Sequence, residues 1–446
     1  MTGPDQRKLA ALVEAAMGKH VIPGVAIGVL DTDGPRTFCF GITNVDHPLP
    51  VDAGTVFEIA SITKTMTATV AARLAAEGRL DLDAPVTRYL PAFRVADPAV
   101  GSRVTVRDLF THTAGWFGEY LEPTGFGEDA IAKGVAAMAT IERVSPPGVF
   151  SYNNVSLIAA GRVMEVVTGT SYREAVRDLL FAPLGMTHSA FDPADVLYER
   201  LAAGHTVRDG RAVRVRGRFR ESSAGDPAGG VRSTVEDLLR YADFHLGDGT
   251  ASGGERLMPA EALAAMREPR FPTGPAGSVG LGWFLEERGG IQVAGHGGAT
   301  VAHMSQLDLI PGRRAAFVIL TNGANGTRLA GEVAEWLLTE WLGVPPRARP
   351  APLDRQPDPA PYAGRYWAPL SDIELAPEDG ALVLRLTWKG SVAERPVPPP
   401  VRLAFCGPDT LVALDGTPPA VADFIRDERG NVAYFRWGAR ARRKVG

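Results

Sequence analysis

Cysteine is scarce: the 446 residues contain two, Cys39 and Cys406, far apart and without metal-ligand spacing. That excludes a disulfide framework and a cysteine-built zinc site. Free buried thiols in a reducing compartment are the expectation. Long apolar runs are missing as well. Nothing approaches the ~18 consecutive apolar residues of a membrane-spanning helix, and Asp5, Arg7 and Lys8 interrupt any leader-like segment early. A cytoplasmic location is the default expectation. There is no excess of one charge either. With 47 basic and 51 acidic residues and a net charge of -4, neither nucleic acid nor an anionic membrane is called for as a partner. Four familiar motifs are absent: Gly-x-Ser-x-Gly, His-Glu-x-x-His, the Walker loop and Gly-x-Gly-x-x-Gly. Their absence disfavours an α/β-hydrolase elbow, a zinc protease, a nucleotide hydrolase and a dinucleotide-binding fold. No cofactor and no metal is implied, and no repeat of solenoid length is present.

What is present is an ordinary soluble composition, 45% apolar and 22% charged. The length suits a large domain plus a smaller one. Residues 6–20 read as an amphipathic helix. Residues 22–30 and 36–41 flank an Asp-Thr-Asp-Gly-Pro turn and read as a hairpin. A mostly apolar helix runs from Met66 to a stop at Gly78. The middle, roughly 105–250, alternates helical segments (157–168 and 171–181 among them) with Gly/Pro loops, and Ser233 or Thr234 caps a further helix. After Gly280 come short strands at 280–285, 291–295, 304–310 and 315–321, then a helix over 327–341. This order is α+β rather than βαβ. The expected domains are residues 1–342, a Pro-rich linker over 343–361 and a small all-β unit over 362–446, a sandwich or barrel.

Three constellations carry chemistry. In Glu58-Ile59-Ala60-Ser61-Ile62-Thr63-Lys64 a serine precedes a lysine by one helical turn, so hydroxyl and amine are neighbours. A neutral amine there takes the hydroxyl proton and makes a nucleophile. Taken alone, the pair is a first-turn serine beside a solvated lysine. In Phe150-Ser151-Tyr152-Asn153-Asn154, Tyr152 and Asn154 are two apart and can face one way. The tyrosine suits a base that later acts as acid. The asparagine suits a substrate contact; otherwise Tyr152 packs and Asn154 caps the next helix. In Gly295-His296-Gly297-Gly298-Ala299, glycines beside a strand allow close approach of backbone or ligand. The N–H of Ala299 paired with that of Ser61 makes an oxyanion hole. The plainer reading is a glycine-rich bend with a solvent-facing histidine.

Together and in this order, the three resemble the serine β-lactamase and penicillin-binding-protein superfamily. The Tyr-x-Asn form of the middle element is most similar to the branch of class C β-lactamases, D-alanyl-D-alanine carboxypeptidases, D-aminopeptidases and family VIII esterases. Leu109-Phe110-Thr111-His112-Thr113-Ala114-Gly115, Pro183-Leu184-Gly185-Met186-Thr187 and Gly229-Gly230-Val231-Arg232-Ser233-Thr234 add to the likeness, which covers about residues 6–342. It implies a β-lactamase-like fold: an antiparallel sheet flanked by helices, with a helical subdomain. The final β unit resembles lipocalin-like modules appended to some members, which cover a pocket or mediate dimers.

Carried over by position, Ser61 is the nucleophile, Lys64 the base and Tyr152 a second base or acid. Asn154, His296, Gly297 and Gly298 meet substrate, and the N–H groups of Ser61 and Ala299 hold the oxyanion. His296 departs from the lysine usual in true β-lactamases, which disfavours β-lactam hydrolysis. The implied function is a serine hydrolase cleaving a small-molecule ester or amide through a Ser61 acyl-enzyme. The alternatives are a D-amino-acid-specific peptidase, an acyltransferase using the same intermediate, and a non-catalytic binding protein. A homo-oligomer is compatible with all of them. His112 is expected to hydrogen-bond within its loop. Arg208, Arg211, Arg214, Arg216, Arg218 and Arg220 read as a solvated arm, or more sharply as a lure for an anionic substrate. Arg440, Arg442, Arg443 and Lys444 read as a frayed terminus.

Overall fold

The computed structural model describes residues 3–119, 122–216, 222–275, 277–348, 350–415 and 420–445. Small and β-branched residues in Gly24–Asp31 and Ala315–Thr321 form adjacent central strands of an eight-stranded antiparallel sheet. From one edge the order is Gly34–Gly41, Gly24–Asp31, Ala315–Thr321, Met304–Ile310, Ile291–Ala299, Phe284–Arg288, Gly277–Val279 and Phe271–Gly274. The last two precede Gly280, where the sequence pattern begins its strands. Phe271-Pro272-Thr273-Gly274 forms a strand nonetheless, at the sheet edge where a missing N–H is tolerated.

Every residue of the two central strands is buried, because helices cover both faces. Val25, Ile27, Val29, Phe317 and Ile319 pack against Leu9 and Val13 of Gln6–His20 and Leu329 and Val333 of Gly326–Trp336. The alternate residues Ala26, Leu30, Val318 and Leu320 face the other core, with Met66 and Val70 of Thr63–Ala76 and Leu238 of Val235–Leu246. Each fully buried side chain of this kind contributes about 1.5–3 kcal/mol. The cap expected at Ser233 or Thr234 is Thr234, whose hydroxyl accepts the Asp237 N–H at 3.1 Å.

The intervening helices, Val106–Thr111, Ala130–Ala137, Val155–Thr168 and Tyr172–Val176, form the helical subdomain. Thr105 with Asp108 and Ser171 with Glu174 close reciprocal capping boxes that fix two of its helix starts. Beyond Trp341, the described residues of 345–361 carry no helix or strand but are tied down. Arg347 pairs with Glu286 at 2.7 and 2.6 Å, and the Leu353 N–H donates to the Phe405 carbonyl at 2.7 Å.

The C-terminal unit is a closed eight-stranded antiparallel barrel, from Gly364–Ala368 to Arg440–Val445. The two ends join through Tyr366 opposite Lys444. Tyr366, Ile373, Leu384, Leu403, Phe405, Phe424 and Phe435 fill its interior. The basic tail is therefore not frayed: it is the closing strand, and Arg442 is buried with Nη2 donating to Ser371 Oγ at 3.1 Å. The arginine-rich stretch is a hairpin of His205–Arg208 and Arg211–Arg214, with Arg214 paired to Asp46 at 2.7 Å. Arg218 and Arg220 lie outside the described residues. Among the described residues, no helix is long and apolar enough to cross a membrane.

Candidate active site

Ser61 lies in a single turn, Ala60–Ile62, that leads into the helix Thr63–Ala76. Two short strands, Phe57–Glu58 and Arg232–Ser233, pair just ahead of it, and the buried Arg232 donates to Glu58 at 3.1 Å. Ala60 has φ +47, a left-handed backbone that an alanine rarely adopts, immediately before the serine. Lys64 is one turn on and almost fully buried. Its Nζ donates to Ser61 Oγ at 2.9 Å and to the Ala228 carbonyl at 2.6 Å. Ala228 sits in the turn Asp226–Gly229, which Arg173 anchors by donating to Asp226 at 2.7 Å. Burial is the main cause that pushes the Lys64 ammonium below its ordinary value. The Tyr152 hydroxyl opposes that shift and the Arg440 charge adds to it.

Tyr152 stands in the extended segment before the helix Val155–Thr168. Lys64 Nζ lies 5.1 Å from the centre of its ring. His112 packs on it with ring centres 4.6 Å apart, and Phe284 stacks at 6.1 Å. His112 does not bond within its own loop. It closes the helix Val106–Thr111 at φ +59, and Nδ1 meets the Asn153 main chain at 3.1 Å. Burial first, then the Lys64 charge, keeps it neutral. Asn154 occupies the helix-start position without a side-chain cap, and among the described residues no hydrogen-bond partner reaches its side chain. Asn153 does the capping, accepting the Ser156 N–H at 2.8 Å.

The strand Ile291–Ala299 runs beside the Ser61 turn. A Cβ on Gly298 would lie 2.1 Å from the Ile59 carbonyl oxygen, so this glycine permits strand and turn to touch. Ser305 donates to the same carbonyl at 2.8 Å. Gly298 is thus packed against protein, whereas Gly297 and Ala299 are exposed. His296 is not solvent-facing but buried, 3% exposed. Its Nδ1–H donates to the Gly297 carbonyl at 2.7 Å, leaving Nε2 without a partner among the described residues. Burial, reinforced by Lys64, pushes its pKa down to about 3, so it is neutral.

The cluster therefore joins Ser61, Lys64, Tyr152 and His296. Two participants were not signalled by motif, the Ala228 carbonyl and Arg440; a third, His112, lies in the Leu109–Gly115 motif but was expected to stay within its loop. Arg440 reaches in from the barrel with its guanidinium 5.2 Å from the Tyr152 ring centre and Nε 2.8 Å from Glu119. The Gly438-Ala439 pair ahead of it is a hairpin signal that the run of arginines obscured. A cavity of about 590 Å³ between Tyr172, Met186 and Phe191 lies elsewhere, and none of the four cluster residues lines it.

This arrangement of a buried lysine on a turn-borne serine, in a sheet-and-helix body, defines a class, and comparison gives the family. The Beta-lactamase family profile matches residues 9–338, and the chain belongs to that family. It is 34% identical over 368 residues to Penicillin-binding protein 4 of Amycolatopsis lactamdurans, covering 79% of this chain and 95% of that one. It is similar to a structure of SurE with D-Leu, with a TM-score of 0.79, 26% identity and coverage of 98% and 99%. It shares its fold with a class C β-lactamase from Rhodobacter sphaeroides, with a TM-score of 0.63, 24% identity and coverage of 75% and 100%.

Proposed function

We propose that the protein is a serine hydrolase that cleaves an ester or amide through an acyl group on Ser61. The observation that carries this reading is the buried Lys64 amine, 2.9 Å from Ser61 Oγ and with its pKa lowered by burial. A neutral lysine accepts the hydroxyl proton as Oγ bonds to the substrate carbonyl carbon. The oxyanion rests on the N–H groups of Ser61 and Ala299. Tyr152, within reach of the lysine, passes a proton to the leaving alcohol or amine. Water then attacks the acyl carbon, its proton returns through the same pair, and Ser61 is restored. Asn154, whose side chain has no hydrogen-bond partner among the described residues, and Gly297 on the exposed edge are the substrate contacts. A binding protein without catalysis would have no need to keep a desolvated lysine against a serine.

A second reading is supported by the structure of SurE with D-Leu. It puts a D-amino acid in the substrate, either as the acyl part of a D-peptidase substrate or as the amine that takes the acyl group in place of water. A neutral His296 lacks the fixed charge of a lysine, so β-lactams are poor substrates in either case.

The test is a fluorophosphonate label read by intact mass, followed by a panel of p-nitrophenyl butyrate, D-alanyl peptides and a chromogenic cephalosporin. One adduct on the wild type and none on Ser61→Ala is expected, with turnover falling about 10⁴-fold or more in that variant. An unlabelled wild type sinks the acyl-enzyme. High turnover of D-peptides with little of the ester favours the second reading.

A further inference from the structure

We propose that the final hairpin of the C-terminal barrel is the positioning element of Tyr152, with Arg436 as its principal positioning residue. This rests on the acyl-enzyme reading above. The hairpin, Val432–Trp437 and Arg440–Val445, grips three consecutive residues. Arg436 Nη1 donates to the Phe150 carbonyl at 3.1 Å. The Ala441 N–H donates to Ser151 Oγ at 3.1 Å. The Tyr152 N–H donates to the Ala439 carbonyl at 2.8 Å.

The body holds the alternating positions of the same segment. The Ser151 N–H donates to the His112 carbonyl at 2.9 Å, and the Asn153 N–H donates to His112 Nδ1 at 3.1 Å. The extended chain therefore presents its odd-numbered N–H groups to the body, and the one between them, on Tyr152, to the barrel. Among the described residues the Ala439 carbonyl is the one partner of that donor, and an unpaired donor is costly.

The contact point is built rather than incidental. Gly438 and Ala439 both have positive φ, 57° and 65°, as a two-residue hairpin turn of this hand requires. An alanine is held there at the position whose carbonyl meets Tyr152. Arg436 is 6% exposed and is aimed by Asp423, which accepts from Nε at 2.8 Å and Nη2 at 2.6 Å. The remaining Nη1 spans to Phe150 and, at 3.4 Å, to the Pro272 carbonyl on the sheet edge. One side chain thus ties the barrel, the tyrosine segment and the sheet together.

A double-mutant cycle on the full-length chain tests this. Arg436→Gln is expected to lower kcat/KM for p-nitrophenyl butyrate about 30-fold, chiefly in kcat, because a displacement near 1 Å at the reacting group costs about 10²-fold. In a Tyr152→Phe background the same substitution is expected to cost less than about 3-fold, since the hydroxyl it positions is gone. Ser151→Ala removes one barrel contact without touching the Arg436–Asp423 pair. It is expected to lose about 5-fold and to be non-additive in the same way, which keeps the test available if Arg436→Gln does not fold. Equal losses in both backgrounds, or no loss, overturn the positioning role. A wild type that neither hydrolyses the ester nor takes the fluorophosphonate label overturns the acyl-enzyme and the positioning role together. A labelled wild type with an additive cycle overturns the positioning role alone.

Discussion

Two eight-stranded β structures stand side by side in this chain, and they bury their residues differently. In the open sheet every residue of Ala315–Thr321 is buried, with alternate side chains feeding two separate cores. In the barrel, buried Ser371, Ile373 and Leu375 alternate with half-buried or exposed neighbours, and one aromatic-rich core lies inside. The sheet needs helices on both faces, and one of those helices, Thr63–Ala76, continues directly from the Ser61 turn. The barrel closes on itself and needs no cover. The sheet therefore contributes to the site through its core, by direct packing on the Ser61 turn. The barrel meets the Tyr152 segment through its final hairpin, at the rim.

That contrast can be broken or sharpened experimentally. The largest effect belongs to the sheet. Gly298→Ala forces a Cβ to within 2.1 Å of the Ile59 carbonyl, and kcat/KM for p-nitrophenyl butyrate is expected to fall about 10²-fold. Gly331→Ala, at an exposed position of the helix Gly326–Trp336 where a Cβ meets nothing within 4 Å, is expected to cost less than about 3-fold. If the two variants behave alike, the close approach at 298 is not what matters.

Next comes the barrel core. Phe435 is fully buried, and Phe435→Ala is expected to destabilise the barrel by about 3–5 kcal/mol. Below the melting temperature of the barrel the kcat of the variant stays within a few-fold of the wild type, because Phe435 faces the lumen and not Tyr152. Thermal melts beside activity at a low and a raised temperature check this. A large loss of kcat with the barrel still folded would sink the view that the barrel acts only through its rim.

A smaller effect tests the sheet interior by pH. Asp308 is buried on Met304–Ile310, and burial pushes its carboxyl up to about 7, with the amide of Gln306 as its nearest donor at 2.8 Å. The unfolded carboxyl titrates near pH ~4, so between about pH 4 and 7 the folded chain holds a proton that the unfolded chain has lost. Its contribution to stability is greatest at low pH and declines as pH rises through that window. Asp308→Asn removes the titration. Its stability relative to the wild type is expected to rise by about 1–3 kcal/mol across the window and then level off. Urea midpoints at several pH values measure it, and a constant difference counts against a protonated Asp308.

The smallest expected effect is on the pH profile of His296→Gln. His296 is neutral because burial holds its pKa at about 3. After scaling, the kcat/KM profile of the variant should superpose on the wild type between about pH 5 and 9. A limb that disappears in the variant would mean that His296 titrates in the working range.

Legibility followed distance along the chain. The Ser61–Lys64 pair was readable because one helical turn joins it, and the strands at 304–310 and 315–321 because their patterns are local. The acceptor Ala228 lies far from Lys64 in sequence, and nothing near it marked a lysine site. His112 was read as bonding inside its loop, yet its partner is Asn153. Asn154 was offered a capping role that its neighbour Asn153 fills. The four basic residues at 440–444 read from the sequence as a frayed terminus. Ring closure with Gly364–Ala368 made them a strand, and only that closure buries Arg442 and turns Arg440 toward Tyr152.

Order and kind were decided within the chain's local segments: an α+β body, a β unit after a Pro-rich stretch, and three motifs with a hydroxyl, an amine, a phenol and a glycine-rich edge. Those depend on hydrophobic period, turn residues and helical spacing, which act over a few residues. The state of the chemistry was decided by packing. Lys64 loses its solvent, His296 loses its charge and Tyr152 acquires a partner for its N–H only when segments hundreds of residues apart meet. Desolvation and long-range hydrogen bonds belong to the assembled neighbourhood and have no local signature.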